Sequence, residues 1–405
     1  MDKKKLRNYV SDLIDEVVLE GDKAVFRHIK KFDGVDLSKS GYRVSDEHVK
    51  CALKNVPTQL KNAIKKAYLN VLSFHKKELL QIKKSFSFTY NGARTGQIYT
   101  AIEDVGVYVP GGRFPYPSTV IMTAIPAISA GVKRIIMATP PKNLSSAVLY
   151  TASLCGIKEI YSVGGASAIA VFAYGTKTVK KVDMIVGPGN VYVNEAKRQV
   201  FGQTGIDALA GPSEVVLIAD DICPTEFIVA DLLAQVEHDV MAKAFLFIQN
   251  LKKIDEIKKE IKRLISKKEA PQTAFKQITF TQCLIETAVE KSNAIAPEHL
   301  ELLVKNYKPL LKKIKNAGAI FAGYQSPTAC GDYWAGPSHV LPTMSSAKFS
   351  SGLSAMTFLK RTSFTEMNGK YKKSFEEIAE IANAENMIWH KKSAILRLNF
   401  KKEVK

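Results

Sequence analysis

Four of the seven histidines stand in company that could do chemistry. In Asp231-Leu-Leu-Ala-Gln-Val-Glu-His238, Gln235 and His238 are three apart and share one face of a helix. An imidazole nitrogen and an amide oxygen could there reach one cation, although the run also reads as a plain polar helix face. In Ala296-Pro-Glu-His-Leu300, Pro297 suits the first turn of a helix, which would leave Glu298 and His299 at its positive end. A carboxylate is favoured in its charged form there and an imidazole is disfavoured as a cation, so both could serve as bases near neutral pH. Simple capping by Glu298 is the plainer alternative. The stretch Ala329–Thr343 holds two Gly, two Pro, Asp332 and His339, and reads as a long irregular loop, either functional or structural with Asp332 in a turn. Glu385-Asn-Met-Ile-Trp-His390 sets a histidine beside Trp389, the usual company of a packed side chain. His28, His48 and His75 sit among charged helical residues and read as surface or filler.

Taken together, Gln235, His238, Asp332 and His390 make a nitrogen and oxygen donor set without sulfur. Such a set suits a zinc or manganese site that keeps room for substrate rather than a closed structural site. The five cysteines are scattered with no CxxC pair, which argues against both a disulfide framework and a thiolate zinc site.

The elements that must position these residues read as α/β. Residues 1 to about 100 are expected to be mostly helical, with Lys-rich amphipathic stretches such as Asn62–Lys84. From about Ala101, short apolar runs alternate with helix-length segments: Val105–Val109, Arg134–Thr139, Glu159–Val163, Met184–Val186, Val215–Ala219 and Ala244–Ile248. That rhythm predicts a parallel sheet with helical crossovers. Many of these strands end in Gly/Pro loops, at 109–112, 163–165 and 186–190, and ligands of open α/β sheets sit at the carboxyl ends of strands. From about Gly352 a helical tail is expected, with one strand-like run, Ala394–Phe400. Neither GxGxxG nor GxxxxGK[ST] is present, so a bound nucleotide would not use those loops.

At 405 residues the chain is long enough for two or three domains, and 46% hydrophobic with 24% charged residues excludes disorder as its main state. The longest apolar run, around Val120–Val132, falls short of the ~18 residues of a membrane helix and contains Pro126. The amphipathic start carries no signal-peptide pattern, so the cytoplasm is the expected location. The net charge of +19 raises nucleic acid as a partner. Yet the lysines alternate with Glu and apolar residues, as in Lys252–Glu269, where Ile254, Ile257, Ile261 and Leu264 keep helical spacing. No basic cluster adjoins the motif loops, so neither a nucleic-acid nor a membrane partner is expected; the excess charge suits an anionic cofactor instead.

Read in order, the motifs resemble the histidinol dehydrogenase family from about residue 10 to the C-terminus. The resemblance rests on Val105-Gly-Val-Tyr-Val-Pro-Gly-Gly112, Gly187-Pro-Gly-Asn190, Ala210-Gly-Pro-Ser-Glu214, Asp231–His238, Pro297-Glu-His299, Gly331-Asp-Tyr333, Ser338-His-Val-Leu-Pro342 and Glu385–His390. It implies a zinc-dependent, NAD-linked four-electron oxidation of L-histidinol to L-histidine through L-histidinal. The family's zinc ligands fall on Gln235, His238, Asp332 and His390, and its acid–base pair on Glu298 and His299. Substrate contacts fall on Ser213, Gln235, His238, His299, Asp332, His339, Glu385 and His390. Cofactor contacts fall on Tyr108 and Asn190, and on Ser167, where many members carry Gln. The implied fold has two incomplete Rossmann-like domains with parallel sheets plus small helical terminal segments. Residues 1–9 would form an arm, 10–107 and 212–353 one domain, and 108–211 a cofactor-side domain. Residues 354–405 would reach the partner of an intertwined homodimer, so that Glu385 and His390 serve the partner's site. The nearest alternative is a homologous NAD-dependent dehydrogenase of another polar alcohol, such as a sulfonated diol. Glu385 favours an aminoalcohol over a sulfonate.

Overall fold

The computed structural model describes residues 2–82, 85–111, 115–237, 239–367 and 372–398. The chain begins with four helices, α1 (Lys3–Glu20), α2 (Asp22–Asp33), α3 (Asp46–Lys54) and α4 (Thr58–Leu80), and then two antiparallel strands, β1 (Ser85–Tyr90) and β2 (Ala93–Ala101). The helical reading of the first hundred residues therefore holds to Leu80 and fails beyond it. Ser-Phe-Ser-Phe-Thr-Tyr is a strand whose period-2 alternation was overlooked beside the longer Lys-rich pattern.

A five-stranded sheet follows, of β3 (Asp104–Tyr108), β4 (Arg134–Thr139), β5 (Glu159–Ser162), β6 (Met184–Val186) and β7 (Gly205–Ile206). All its pairings are parallel and its order is β5-β4-β3-β6-β7. The crossovers are α5 (Pro117–Ala130), α6 (Ser146–Leu154), α7 (Gly165–Tyr174) and α8 (Val191–Val200). A second parallel sheet repeats the same order, β10-β9-β8-β11-β12. Its strands are β8 (Glu214–Ala219), β9 (Lys243–Ile248), β10 (Ile278–Gln282), β11 (His299–Leu303) and β12 (Ala319–Ala322). They alternate with α9 (Thr225–Glu237), α10 (Leu251–Ser266), the single turn α11 (Ala274–Gln277), α12 (Ile285–Ile295) and the short α13 (Lys308–Leu311). The expected α/β class with parallel sheets is thus the observed one.

Both sheets are covered on both faces, which is why their strands read as near-continuous apolar runs. One face of the first sheet packs α3–α6 around Val105, Val107 and Met137. The other packs α1, α2, α7 and α8 around Ile136, Ala138 and Ile185. In the second sheet, Val215 and Leu217 face α9 and α10, while Val216 and Ile218 face α12. Each fully buried Val, Ile or Leu stabilises by roughly 1.5–3 kcal/mol, so these central strands dominate the energetics. The border expected between 107 and 108 falls within β3, whose strand partners lie in 134–186. Helix α1 packs on α7 and α8, and α3 on α6.

The remaining elements are α14 (Thr328–Tyr333), β13 (Leu359–Met367), α15 (Lys372–Ala384) and α16 (Ile388–Leu398). The chain divides into two compact units, Met1–Leu79 with Ile102–Phe358, and Leu80–Ala101 with Leu359–Lys405. In the smaller unit, β13 pairs antiparallel with β2, and α15 packs against α16 around Phe375, Ala379 and Ala394. The strand-like run expected at Ala394–Phe400 is instead the last turns of α16 as far as Leu398; residues 399 and 400 lie outside the described residues. Among the described residues no helix is long and apolar enough to cross a membrane.

Candidate active site

Glu298 and His299 do not sit at a helix N-terminus as Pro297 suggested. Helix α12 ends at Ile295, Ala296 takes a left-handed φ of 52°, and Pro297 redirects the chain into β11, which begins at His299. The run His-Leu-Glu-Leu-Leu is buried throughout between β8 and β12, and a central strand was the better reading of it. Glu298 and His299 therefore lie at the amino edge of the second sheet, beside Ser213 and Glu214 at the start of the neighbouring strand. This is the end of the sheet opposite to the one where ligands were expected. At the carboxyl end Asp220 accepts from the Tyr324 hydroxyl at 2.7 and 2.9 Å and from the backbone N–H of Lys305 at 2.8 Å.

A hydrogen-bonded chain runs across that amino edge. The Gln235 amide donates to the Ser213 hydroxyl at 2.9 Å, and that hydroxyl donates in turn to Glu298 Oε2. The same oxygen accepts the Glu214 N–H at 3.3 Å and lies 3.8 Å from His299 Nδ1. Gln235, Glu298 and His299 are all buried. The Glu214 carboxyl is raised by burial, with the Glu298 charge adding to the effect.

Asp332 lies on α14 rather than in the expected loop, and its Oδ1 is 3.7 Å from His339 Nδ1. His299, Asp332 and His339 line one cavity of about 430 Å³ together with Cys330 and Phe321. Asp332 also borders a second cavity of about 560 Å³, walled by Tyr116, Met122, Glu237 and Trp334. The loop carrying His339 is anchored by a defect in α5. Pro126 stands inside that helix and has no N–H for the Met122 carbonyl four residues back. The Ser338 hydroxyl donates to that carbonyl at 2.9 Å instead.

Beneath the site, Glu301 of β11 accepts the Thr328 N–H at 2.8 Å and the Thr328 hydroxyl, which fixes the start of α14. Its other neighbour is the Asp231 carboxyl of α9. Burial, and for Glu301 the Asp231 charge, pushes both carboxyls up. One buried pair thereby ties together the strand of His299, the helix of Gln235 and the helix of Asp332. Sequence reasoning passed over it, although a Glu inside an otherwise apolar strand was the available signal.

Tyr108 and Asn190 meet at the carboxyl edge of the first sheet, where they line a cavity of about 450 Å³ with Asp33, Lys142, Gly165 and Tyr192. The Tyr108 hydroxyl is buried, accepts the Gly165 N–H at 3.1 Å and is pushed up to about 12 by burial. Asn190 caps α8 through its side-chain oxygen, leaving its amide N–H groups as donors for a ligand. Gly187 carries a φ of 118°, and a Cβ there would stand 2.1 Å from the Tyr108 carbonyl oxygen, so no other residue fits. Buried Lys197 and Asp207 pair and hold the Gly187 carbonyl and N–H between them. Ser167 is turned away from this cavity, with its hydroxyl 2.8 Å from His28 Nδ1. His28 and His75 are buried, each with a carboxylate partner at 2.8 Å, rather than surface residues; His48 is exposed.

His238 lies outside the described residues. Glu385 and His390 belong to the smaller unit, where both are exposed, and Trp389 beside them is exposed rather than packed. Among the described residues no three His, Cys, Asp or Glu side chains are grouped to hold a metal.

Comparison with known proteins agrees along the whole chain. The family model for histidinol dehydrogenase matches residues 1–398. The histidinol dehydrogenase of Methanocaldococcus jannaschii is 43% identical over 399 residues, covering 96% of this chain and 92% of the relative. That of Thermosynechococcus vestitus is 42% identical, with the same two coverages. The crystal structure of histidinol dehydrogenase from Elizabethkingia anophelis superposes with a TM-score of 0.91 at 36% identity, covering 98% of this chain and 93% of that one.

Proposed function

The chain belongs to the histidinol dehydrogenase family of oxidoreductases, and from that premise we propose a zinc-dependent, NAD-linked oxidation of L-histidinol to L-histidine through L-histidinal. The observation that carries this reading is the chain Gln235–Ser213–Glu298 with His299 beside it. It joins a cation-binding amide to two proton-handling groups in one buried row.

The residues fit a zinc ion by donor chemistry. The Gln235 amide nitrogen is committed to Ser213, which leaves its oxygen as the atom able to serve a cation. Asp332 supplies a carboxylate within the cavity that His299 lines. His238 and His390 complete the proposed set. When bound, zinc would anchor the imidazole and amine nitrogens of the substrate, and the dinucleotide would accept both hydrides.

His299 takes the hydroxyl proton of histidinol as the first hydride leaves the carbinol carbon. Glu298, held by the Ser213 hydroxyl and the Glu214 N–H, then removes a proton from the water that adds to the aldehyde. The resulting hydrate loses the second hydride and a proton to give the carboxylate. His339, at 3.7 Å from Asp332, orients that carboxylate. Tyr108 and Asn190 hold the dinucleotide in the cavity that they share.

We place Glu385 and His390 in the site of a second copy of the chain. The exposed apolar side chains Ile381, Ile388, Trp389 and Leu396 around them support docking of this segment on another chain. The decisive experiment counts NADH formed per L-histidinol consumed, before and after chelation. Two NADH per histidinol, abolished by chelator and restored by zinc, is the expected result. Turnover of other polar alcohols but not of histidinol by zinc-loaded protein would overturn the substrate assignment.

A further inference from the structure

Asp33 is an expensive residue that the fold does not use. It is the last residue of α2, at the negative end of the helix dipole, where a carboxylate is disfavoured. Its carboxyl is half-buried and raised by desolvation, with the Lys142 charge pulling the other way. Among the described residues it has no hydrogen-bond partner to offset that cost. Unrewarded ionisable groups in a cavity are where ligand contacts are to be sought.

The cavity it lines is the one shared by Tyr108 and Asn190, so the inference rests on the dinucleotide reading of that cavity. None of Ser213, Gln235, Glu298, His299 or Asp332 lines it. The reacting nicotinamide ring must lie beside those residues, so the cavity receives the other end of the dinucleotide. Other parts of its lining suit a pyrophosphate. The positive end of α7 opens on it at Gly165, where a Cβ would meet nothing within 4 Å, and Lys142 stands at its edge. A carboxylate in such a place repels phosphate but accepts hydrogen bonds from a vicinal diol, and adenosine ribose presents one.

We propose that Asp33 is the specificity-determining residue of the cofactor site, accepting from the ribose hydroxyls of the adenosine half and excluding a 2′-phosphate. The same recognition is made elsewhere by an acidic residue at the end of a strand in dinucleotide-binding folds. Here the end of a helix supplies it.

The test is direct titration of NADH and NADPH, followed by their own fluorescence with histidinol absent, on the parent protein and on Asp33→Asn, Asp33→Ala and Asn190→Ala. The parent should bind NADH at least about tenfold more tightly than NADPH, and Asp33→Asn should collapse that ratio by weakening NADH while sparing or tightening NADPH. Both Asp33 variants should unfold at the same temperature as the parent or higher, because a desolvated carboxylate at a helix C-terminus has been removed. Equal loss for both dinucleotides, or a parent that binds them equally, overturns the assignment of Asp33. If Asn190→Ala weakens NADH while Asp33→Asn leaves the ratio unchanged, the Asp33 inference alone has failed. If neither Asn190→Ala nor the Asp33 variants alter NADH binding, the cavity itself was misread.

Discussion

Glu298 and His299 are neighbours in the chain, with Glu298 Oε2 3.8 Å from His299 Nδ1, and on the proposed mechanism their variants should separate the two oxidations. His299→Asn keeps the shape and removes the base proposed for the alcohol step, so turnover should fall by about 10²–10⁴ while the zinc content proposed for the protein is unchanged. Glu298→Gln should spare the first oxidation and stall the second, so that aldehyde accumulates and can be trapped. If Glu298→Gln lost both stages equally, the division of labour would be wrong. The pair was legible in the sequence as two bases side by side, but the reason offered for it was not the right one. The residues come from the amino end of a buried strand, and nothing local distinguishes that from a helix start after proline. Glu301 stood out as a Glu in an apolar strand, but its pairing with Asp231 was not legible, because residues seventy positions apart meet only once α9 lies on β11. The pair gives a pH signature. Folded, Glu301 keeps its proton above the ordinary carboxylate range; unfolded, it ionises within that range. The folded state therefore loses stability as pH rises from the ordinary carboxylate range towards the raised value. Glu301→Gln removes this loss, so urea midpoints of variant and parent should diverge in favour of the variant from about pH 5 upward. A difference that did not change with pH would show that Glu301 is not protonated in the folded chain.

Among the elements, α5 shows how a local fault positions a distant loop. The sequence marks Pro126 as an interruption of an apolar run, yet the helix continues through it from Pro117 to Ala130. What the proline creates is an accepting carbonyl at Met122, and the Ser338 hydroxyl answers it. His339 follows directly, within reach of Asp332. Removing the hydroxyl in Ser338→Ala should cost about 1–3 kcal/mol, since the buried carbonyl loses its donor. In a Pro126→Ala background the helix supplies its own N–H, so the same change should cost less by at least about 0.5 kcal/mol. Denaturant unfolding of the four proteins of this cycle measures the coupling, and strict additivity would dismiss the link. Six of the ten parallel strands were read correctly because burial on both faces leaves an unbroken apolar run, as in Val-Val-Leu-Ile-Ala of β8, whereas β7, β10, β11 and β12 were not. The antiparallel pair β1 and β2 was missed because its side chains are largely exposed and its neighbour β13 lies some 260 residues onward, beyond any local pattern.

For the molecule as a whole, the proposed function uses two sheets of identical strand order at opposite ends. The first offers its carboxyl edge, with Tyr108, Asn190 and Asp33 around one cavity. The second offers its amino edge, with Ser213, Glu298 and His299, while Asp220 at its carboxyl edge is held by Tyr324. A reading that expects ligands only at carboxyl edges finds the first of these and not the second, so Glu298 and His299 are proposed from their motif rather than from their place in the sheet. The remaining proposed ligand, His390, is carried by the smaller unit, and assigning it to the partner's site makes a prediction that no single variant can make. A chain with His299→Asn has a dead body and a sound tail; a chain with His390→Asn has the reverse. Each is inactive alone. In a mixed dimer with exchanged tails, one site receives both defects and the other receives none. Random mixing makes half of the dimers mixed, so refolding or co-expressing the two variants in equal amounts should restore about a quarter of parental activity. Tails that serve their own chain would leave every site with one defect, and the mixture would be as inactive as its components.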